Sequence, residues 1–141
     1  MGHVKLSQII VSPLREIETK GGNVLHALKC SEAQYKGFGE VYFSWINPGV
    51  IKAWKRHNKM TMNLVVPIGM TRFVFHSDEE SGFRSETIGV DSYQRLTVPP
   101  SIWFGFQCIS EEPALVLNII DIEHSPDEVD RRLLEDIKFD W

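Results

Sequence analysis

A chain of 141 residues fits one domain, spanning 1–141, that can bury a core without disulfide or metal staples. Its 43% hydrophobic and 24% charged composition excludes disorder and fibrous repeats, and a net charge of −4 argues against nucleic-acid binding. Cys30 and Cys108 are too few and too far apart for a disulfide framework or a zinc site, which points to a reducing, cytoplasmic compartment.

The start, MGHVKLSQIIVSPL, lacks the basic opening and long apolar core of a signal peptide, and Gly2 is not followed by the Ser or Thr that myristoylation requires. Apolar runs such as LVVPIGM and ALVLNII are too short to span a membrane, so no membrane partner is expected. Short strands are predicted over 8–11 and 23–28 around Gly21-Gly22, where paired glycines permit positive φ. SEAQYKGFGE reads as a polar loop or a short helical turn. EVYFSWI is rich in the β-branched and aromatic residues that strands favour, and Asn47-Pro48-Gly49 ends it in a turn.

A strand starting at Val50 is expected to alternate, with Val50, Lys52 and Trp54 on one face and Ile51, Ala53 and Lys55 on the other. Lys55 and His57 then share a face. Further strands are predicted over 62–67, 71–76, 84–90, 95–98, 103–109 and 114–120, with DEESG as a solvated turn. Many short strands broken by Gly and Pro indicate an antiparallel sandwich or barrel. From Pro126 the run PDEVDRRLLEDI, with Ser125 placed to cap it, predicts a helix of two or three turns whose charges form a solvated face. The absence of GxGxxG, a phosphate-binding loop and GxSxG argues against Rossmann dehydrogenases and nucleotide hydrolases.

The unusual chemistry is concentrated in 48–69, PGVIKAWKRHNKMTMNLVVPIG, which gathers Lys52, Lys55, Arg56, His57 and Lys59. No Asp or Glu occurs from 41 to 77, so this acidic chain carries a local positive island suited to an anion. Gly49, Lys55, His57, Met62 and Gly69 fall in the register of the first cupin motif, and VPPSIWFGF resembles the second, with Phe104 at the position of its His. A protonated Lys and a Phe do not ligate metal, so neither a metal nor another cofactor is expected.

KGGNV, FGEVYFS, PGVIKAW, LVVPIG, SYQRLTVPPSIWFGF and the SPDEV turn before a terminal FDW together resemble the dTDP-4-dehydrorhamnose 3,5-epimerase family, over nearly the whole chain. The resemblance implies an all-β, cupin-type double-stranded β-helix (jelly-roll) barrel with a short C-terminal helix. It also implies a homodimer that pairs through sheet contacts and exchanges N-terminal strands. The implied activity is metal-independent epimerisation or isomerisation next to the keto group of a nucleotide-linked 4-keto-deoxysugar, in O-antigen or other surface polysaccharide synthesis.

By position, Lys55 stands at the family's basic His, Lys52 and Gly21 at two of its arginines, Phe104 at a second His and Asn63 at a lysine. Asn118 lies nearest the family's acidic Tyr. Such chemistry needs a base for the carbon-bound proton, a donor for the enolate oxygen and an acid to return the proton. His57 is the candidate base, Lys55 the ketone-polarising group or a second base, and Tyr93 a candidate acid. Lys52, Arg56, Lys59 and Arg72 are candidate diphosphate binders, and Asn63 and Asn118 candidate polar contacts. Trp54, Trp103 and Phe104, with Tyr42 and Phe106, either form a stacking wall for a base or sugar ring or pack as core. A second reading is a catalytically inactive protein that binds a sugar nucleotide.

Overall fold

Runs of alternating apolar and polar residues become strands throughout the computed structural model, which describes residues 4–141. The expectation about Gly2 lies outside the described residues. The strands are β1 (Ile10–Pro13), β2 (Glu16–Ile17), β3 (Val24–Leu25), β4 (Glu40–Ile46), β5 (Ile51–His57), β6 (Met62–Ile68), β7 (Met70–His76), β8 (Arg84–Gly89), β9 (Gln94–Val98), β10 (Trp103–Cys108), β11 (Ala114–Ile120) and β12 (Val129–Arg131). One five-stranded sheet has the order β1-β9-β6-β11-β4, the other β12-β5-β10-β7-β8, and β2 and β3 form a small ribbon. Every pairing is antiparallel. The result is the expected all-β jelly-roll barrel.

The core lies between the two large sheets and includes Ile46, Leu64, Phe73, Phe75, Val116 and Ile120. On β11 the alternation is strict: Ala114, Val116, Asn118 and Ile120 point inward and are buried, while the residues between them are half-buried. The polar Asn118 therefore occupies an otherwise apolar inner row.

Three expected elements differ by more than one residue. The strand expected over 23–28 shrinks to the two residues of β3. The first strand begins at Ile10 rather than residue 8, because Leu6–Gln8 forms a 3-10 turn that buries Leu6. The C-terminal helix is absent. Its place is taken by a 3-10 turn at Pro126–Glu128, strand β12, and a second 3-10 turn at Leu134–Asp136. A helix of two or three turns is marginal without tertiary support. Here β5 offers an unpaired edge, and Val129, Asp130 and Arg131 pair with His57, Arg56 and Lys55 along it.

A β-bulge interrupts β5. Phe104 pairs with Lys55 and Gly105 with Ala53, so Trp54 is the extra residue. Gly105 permits the close approach of β10, since a Cβ there would lie 2.5 Å from the Ala53 Cβ and 3.2 Å from the Trp141 ring. Directly paired residues share a face, so the bulge corrects the expected alternation. Lys52, opposite Phe106, joins Lys55 and His57 on the inner side. Trp54 instead packs with Val74, Trp103 and Ile137 in a second cluster outside the barrel, where Phe139 and Trp141 cover it.

Candidate active site

His57 ends β5 with only 5% of its surface exposed, inside the barrel mouth. Its Nδ1 lies 2.5 Å from Oε1 of Glu128, which is itself 4% exposed. The backbone amides of Lys59 and Met60 donate to Oε2 of Glu128 at 3.1 and 3.2 Å. Both carboxylate oxygens are thus occupied by donors. Burial raises the Glu128 carboxyl, but the hydrogen bonds from His57, Lys59 and Met60 outweigh it, and the net shift is downward. Burial likewise dominates at His57 and lowers it, against the opposing pull of Glu128. At neutral pH the pair is a carboxylate beside a neutral imidazole. The carboxylate accepts Nδ1–H and leaves the Nε2 lone pair free, which is the tautomer a general base requires.

His57 lines an inner cavity of about 70 Å³ with Tyr42, Leu64, Lys55, Phe104 and Asn118. The His57 and Phe104 rings stack at 5.9 Å between centroids. Across from β5, on the other sheet, Asn118 Nδ2 donates to the Tyr42 hydroxyl oxygen at 3.2 Å. That contact leaves the phenolic O–H free to donate. Burial raises the Tyr42 phenol, with Glu40 and Glu128 adding to the effect, so it stays protonated at neutral pH. Asn118 Oδ1 is buried without a partner.

A larger cavity of about 560 Å³ adjoins the first and shares Ser44, Lys55, Phe104 and Phe106 with it. Its wall adds Lys52, Trp54, Arg131 and Arg132. The Lys55 ammonium is lowered by burial first and then by repulsion from Arg131 and Lys52. Among the described residues, no three His, Cys, Asp or Glu side chains gather as a metal ion would need.

Of the residues singled out in the sequence, the structure brings His57, Lys55, Phe104 and Asn118 together at the inner cavity and adds Lys52 and Trp54 at the outer one. The others stand elsewhere, each held by its own partner. Tyr93 donates its phenolic proton to the His26 carbonyl at 2.8 Å. Asn63 donates to the Gln34 carbonyl and accepts from Thr97. Arg56, on the outer face of β5, bonds to Asp78 and Asp130 and lies over the Trp103 ring at 4.8 Å. Trp103 donates its indole proton to Asp78 and packs in the outer cluster. Arg72 donates to Gln107 at 2.8 Å and sits beside Phe139 and Trp141.

Sequence reasoning missed Glu128, which it assigned to a solvated helix face, and it missed Arg131. It also listed Tyr42 only as an aromatic. The alternation in EVYFSWI carries the signal for Tyr42, since it places Tyr42, Ser44 and Ile46 on one face. No local pattern marks Glu128, whose partner lies 71 residues away.

The fold recurs in known proteins, although no protein-family model matches the chain. The crystal structure of a dTDP sugar isomerase from Desulfovibrio desulfuricans is similar at a TM-score of 0.89 and 38% identity, covering 95% of this chain and 90% of that one. The "Probable low-salt glycan biosynthesis epimerase" of Haloferax volcanii is 34% identical over 97 residues, 62% of this chain and 62% of the length of that protein. A dTDP-4-dehydrorhamnose 3,5-epimerase from Sulfolobus tokodaii shares the fold, with a TM-score of 0.79 at 19% identity over 98% of this chain and 85% of that one. Among the described residues no helix is long and apolar enough to cross a membrane. At 38% identity over nearly its whole length, the chain belongs to the dTDP-sugar isomerase family, whose fold is that of the dTDP-4-dehydrorhamnose 3,5-epimerases.

Proposed function

We propose that the chain is a metal-independent isomerase or epimerase of a nucleotide-linked 4-keto-deoxysugar, acting in the cytoplasm on a precursor of an O-antigen or another surface polysaccharide. The observation that carries this reading is the buried His57–Glu128 pair opening onto a cavity that also holds Tyr42. The isomerase and epimerase among its relatives support it.

His57 Nε2 removes the proton from the carbon next to the keto group, and Glu128 stabilises the imidazolium that forms. Lys55 donates to the keto oxygen as charge develops there. Tyr42 belongs to β4, on the sheet facing the one that carries His57. Its hydroxyl returns a proton from that side, and the starting state is restored when the imidazolium gives a proton to solvent and the tyrosinate takes one up. The unpartnered Asn118 Oδ1 accepts from a sugar hydroxyl. Two copies pair through β4, an edge strand whose outward Val41, Phe43 and Trp45 are exposed by 41%, 61% and 57%.

The test is solvent exchange. Incubation with dTDP-, GDP- and UDP-linked 4-keto sugars in deuterium oxide is expected to label one of them at the carbon next to the keto group. His57→Asn should slow labelling by about a hundredfold or more with little change in affinity. Binding without labelling by the wild-type protein would leave the inactive sugar-nucleotide binder as the correct reading.

A further inference from the structure

His57 is 5% exposed, yet the proposed reaction leaves it as an imidazolium and Tyr42 as a tyrosinate. One proton must therefore leave the inner cavity, and one must enter it, in every cycle. The cavity joins the outer one along Ser44, Lys55, Phe104 and Phe106, and a nucleotide-linked sugar that spans both covers this wall. Among the described residues that line the inner cavity away from that wall, Tyr42 is half-buried, His57, Leu64, Val116 and Asn118 are buried, and His124 alone is exposed. The backbone fixes His124 at this rim. β11 ends at Ile120, whose carbonyl accepts the Gly39 amide at 2.7 Å, and the approach is so close that a Cβ on Gly39 would strike the Ile122 backbone. The connection that follows is tied on both flanks: Asp121 accepts the Thr61 amide at 2.9 Å, and Glu40 accepts the His124 amide at 3.0 Å. Among the described residues, the His124 imidazole has no hydrogen-bond or ion-pair partner. Burial is the main cause that lowers His57, and repulsion from Lys55 and from His124 adds to it, which sets the two imidazoles within electrostatic reach of each other.

We propose that His124 is the proton-exchange group of the inner cavity, passing to solvent the proton that His57 takes from carbon and passing a solvent proton in to Tyr42. The inference rests on the reading of His57 and Tyr42 above and adds the route by which they are reset. The Nε2–H bond of the His57 imidazolium breaks as an N–H bond forms on neutral His124, which then releases a ring proton to water. In the opposite direction His124 takes a proton from water and gives one to the tyrosinate oxygen, so no charge is left behind. An imidazole suits both transfers, because one ring nitrogen accepts while the other donates and its ordinary range lies near neutral pH. Lys55 is less suited, since it lies on the shared wall that the ligand covers. The connection between β11 and β12 then contributes twice: Glu128 orients His57, and His124 resets it.

The test follows the nucleotide-linked 4-keto sugar that the wild-type protein converts, in deuterium oxide. While the enolate lasts, exchange through His124 replaces the proton on His57, so reversal returns deuterium and the recovered substrate is labelled. In His124→Ala and His124→Gln the original proton should return to carbon instead, and label in recovered substrate per product formed should drop by about tenfold. The first turnover at excess protein should be unchanged, since His57 starts neutral and Tyr42 starts protonated. Added imidazole should restore labelling in His124→Ala and change nothing in the wild-type protein, and melting curves establish that each variant is folded. The proposal is overturned if the folded variants label substrate as the wild-type protein does. It is equally overturned if the first turnover slows in step with labelling and imidazole restores neither, which is what a displaced Glu128 would give. A wild-type protein that neither labels nor converts any keto sugar removes the isomerase reading and the relay together. Exchange indifferent to His124 removes the relay alone.

Discussion

Glu128 uses both oxygens to fix one histidine: Oε1 takes Nδ1–H of His57, and Oε2 takes two backbone amides that hold the carboxylate in place. A glutamine at 128 keeps the shape, loses the charge, and turns an NH₂ toward one of these donor groups. Because the proposed reaction needs neutral His57, kcat/KM is expected to fall as pH drops through the His57 value. Burial holds that value below the ordinary one of about 6.5, so the midpoint of the acid limb should lie below that pH. Glu128 is the group that raises His57, so Glu128→Gln lowers it further. The acid limb should therefore move to lower pH while the plateau falls by about a hundredfold or more, as a pH series of kcat/KM would record. An acid limb that stays in place would mean that another group is the base.

At the scale of elements, β5 and β12 form the working unit. A regular strand would send Lys52 and Lys55 to opposite faces, and the single extra residue at Trp54 reunites them. β12 is held to β5 by its three-residue pairing and by a buckle on the outer face. There Asp78 binds Arg56 and Arg132, whose guanidinium lies 4.2 Å from the Trp103 ring centre, and also accepts the Trp103 indole proton. The Asp78–Arg132 pair is well exposed, at 42% and 36%, so solvent screening limits its contribution. Asp78→Ala should lower stability by only about 1 kcal/mol, or about 2–4 °C in Tm. The larger expected effect is local. Hydrogen exchange at Val129–Arg131 should quicken and turnover should drop more than the loss of stability explains, because β12 follows Glu128 directly. Unchanged exchange there would show that the strand pairing alone holds β12.

At the scale of the whole molecule, the exposed stripe Val41, Phe43 and Trp45 lies on an edge strand beside a shallow groove lined by Trp45, Ile68 and Pro113. An edge strand can meet its own copy across a two-fold axis in a self-complementary way, and three large apolar side chains on one exposed edge suit such a contact. Sedimentation should show a dimer for the wild-type chain and a folded monomer for Phe43→Asp. A wild-type monomer would contradict the β4 pairing.

The sequence by itself determined the barrel and the shared face of Lys55 and His57. Strand alternation has a period of two, can be read from neighbouring residues, and carries across the two positions that separate this pair. It also determined the ends of β4 and β11, which burial alternation and turn residues define locally. Only the tertiary structure decided that Lys52 joins that face, since a bulge depends on what the partner strand presents, here Gly105 against Ala53. Tertiary contact also decided the fate of 126–136. Locally these residues fit a short helix, but pairing with the free edge of β5 and burial of Glu128 against His57, 71 residues away, stabilise a strand. The proposed base, His57, was legible in the sequence because it shares one strand with Lys55. Its carboxylate partner was not, because Glu128 arrives from the far end of the chain.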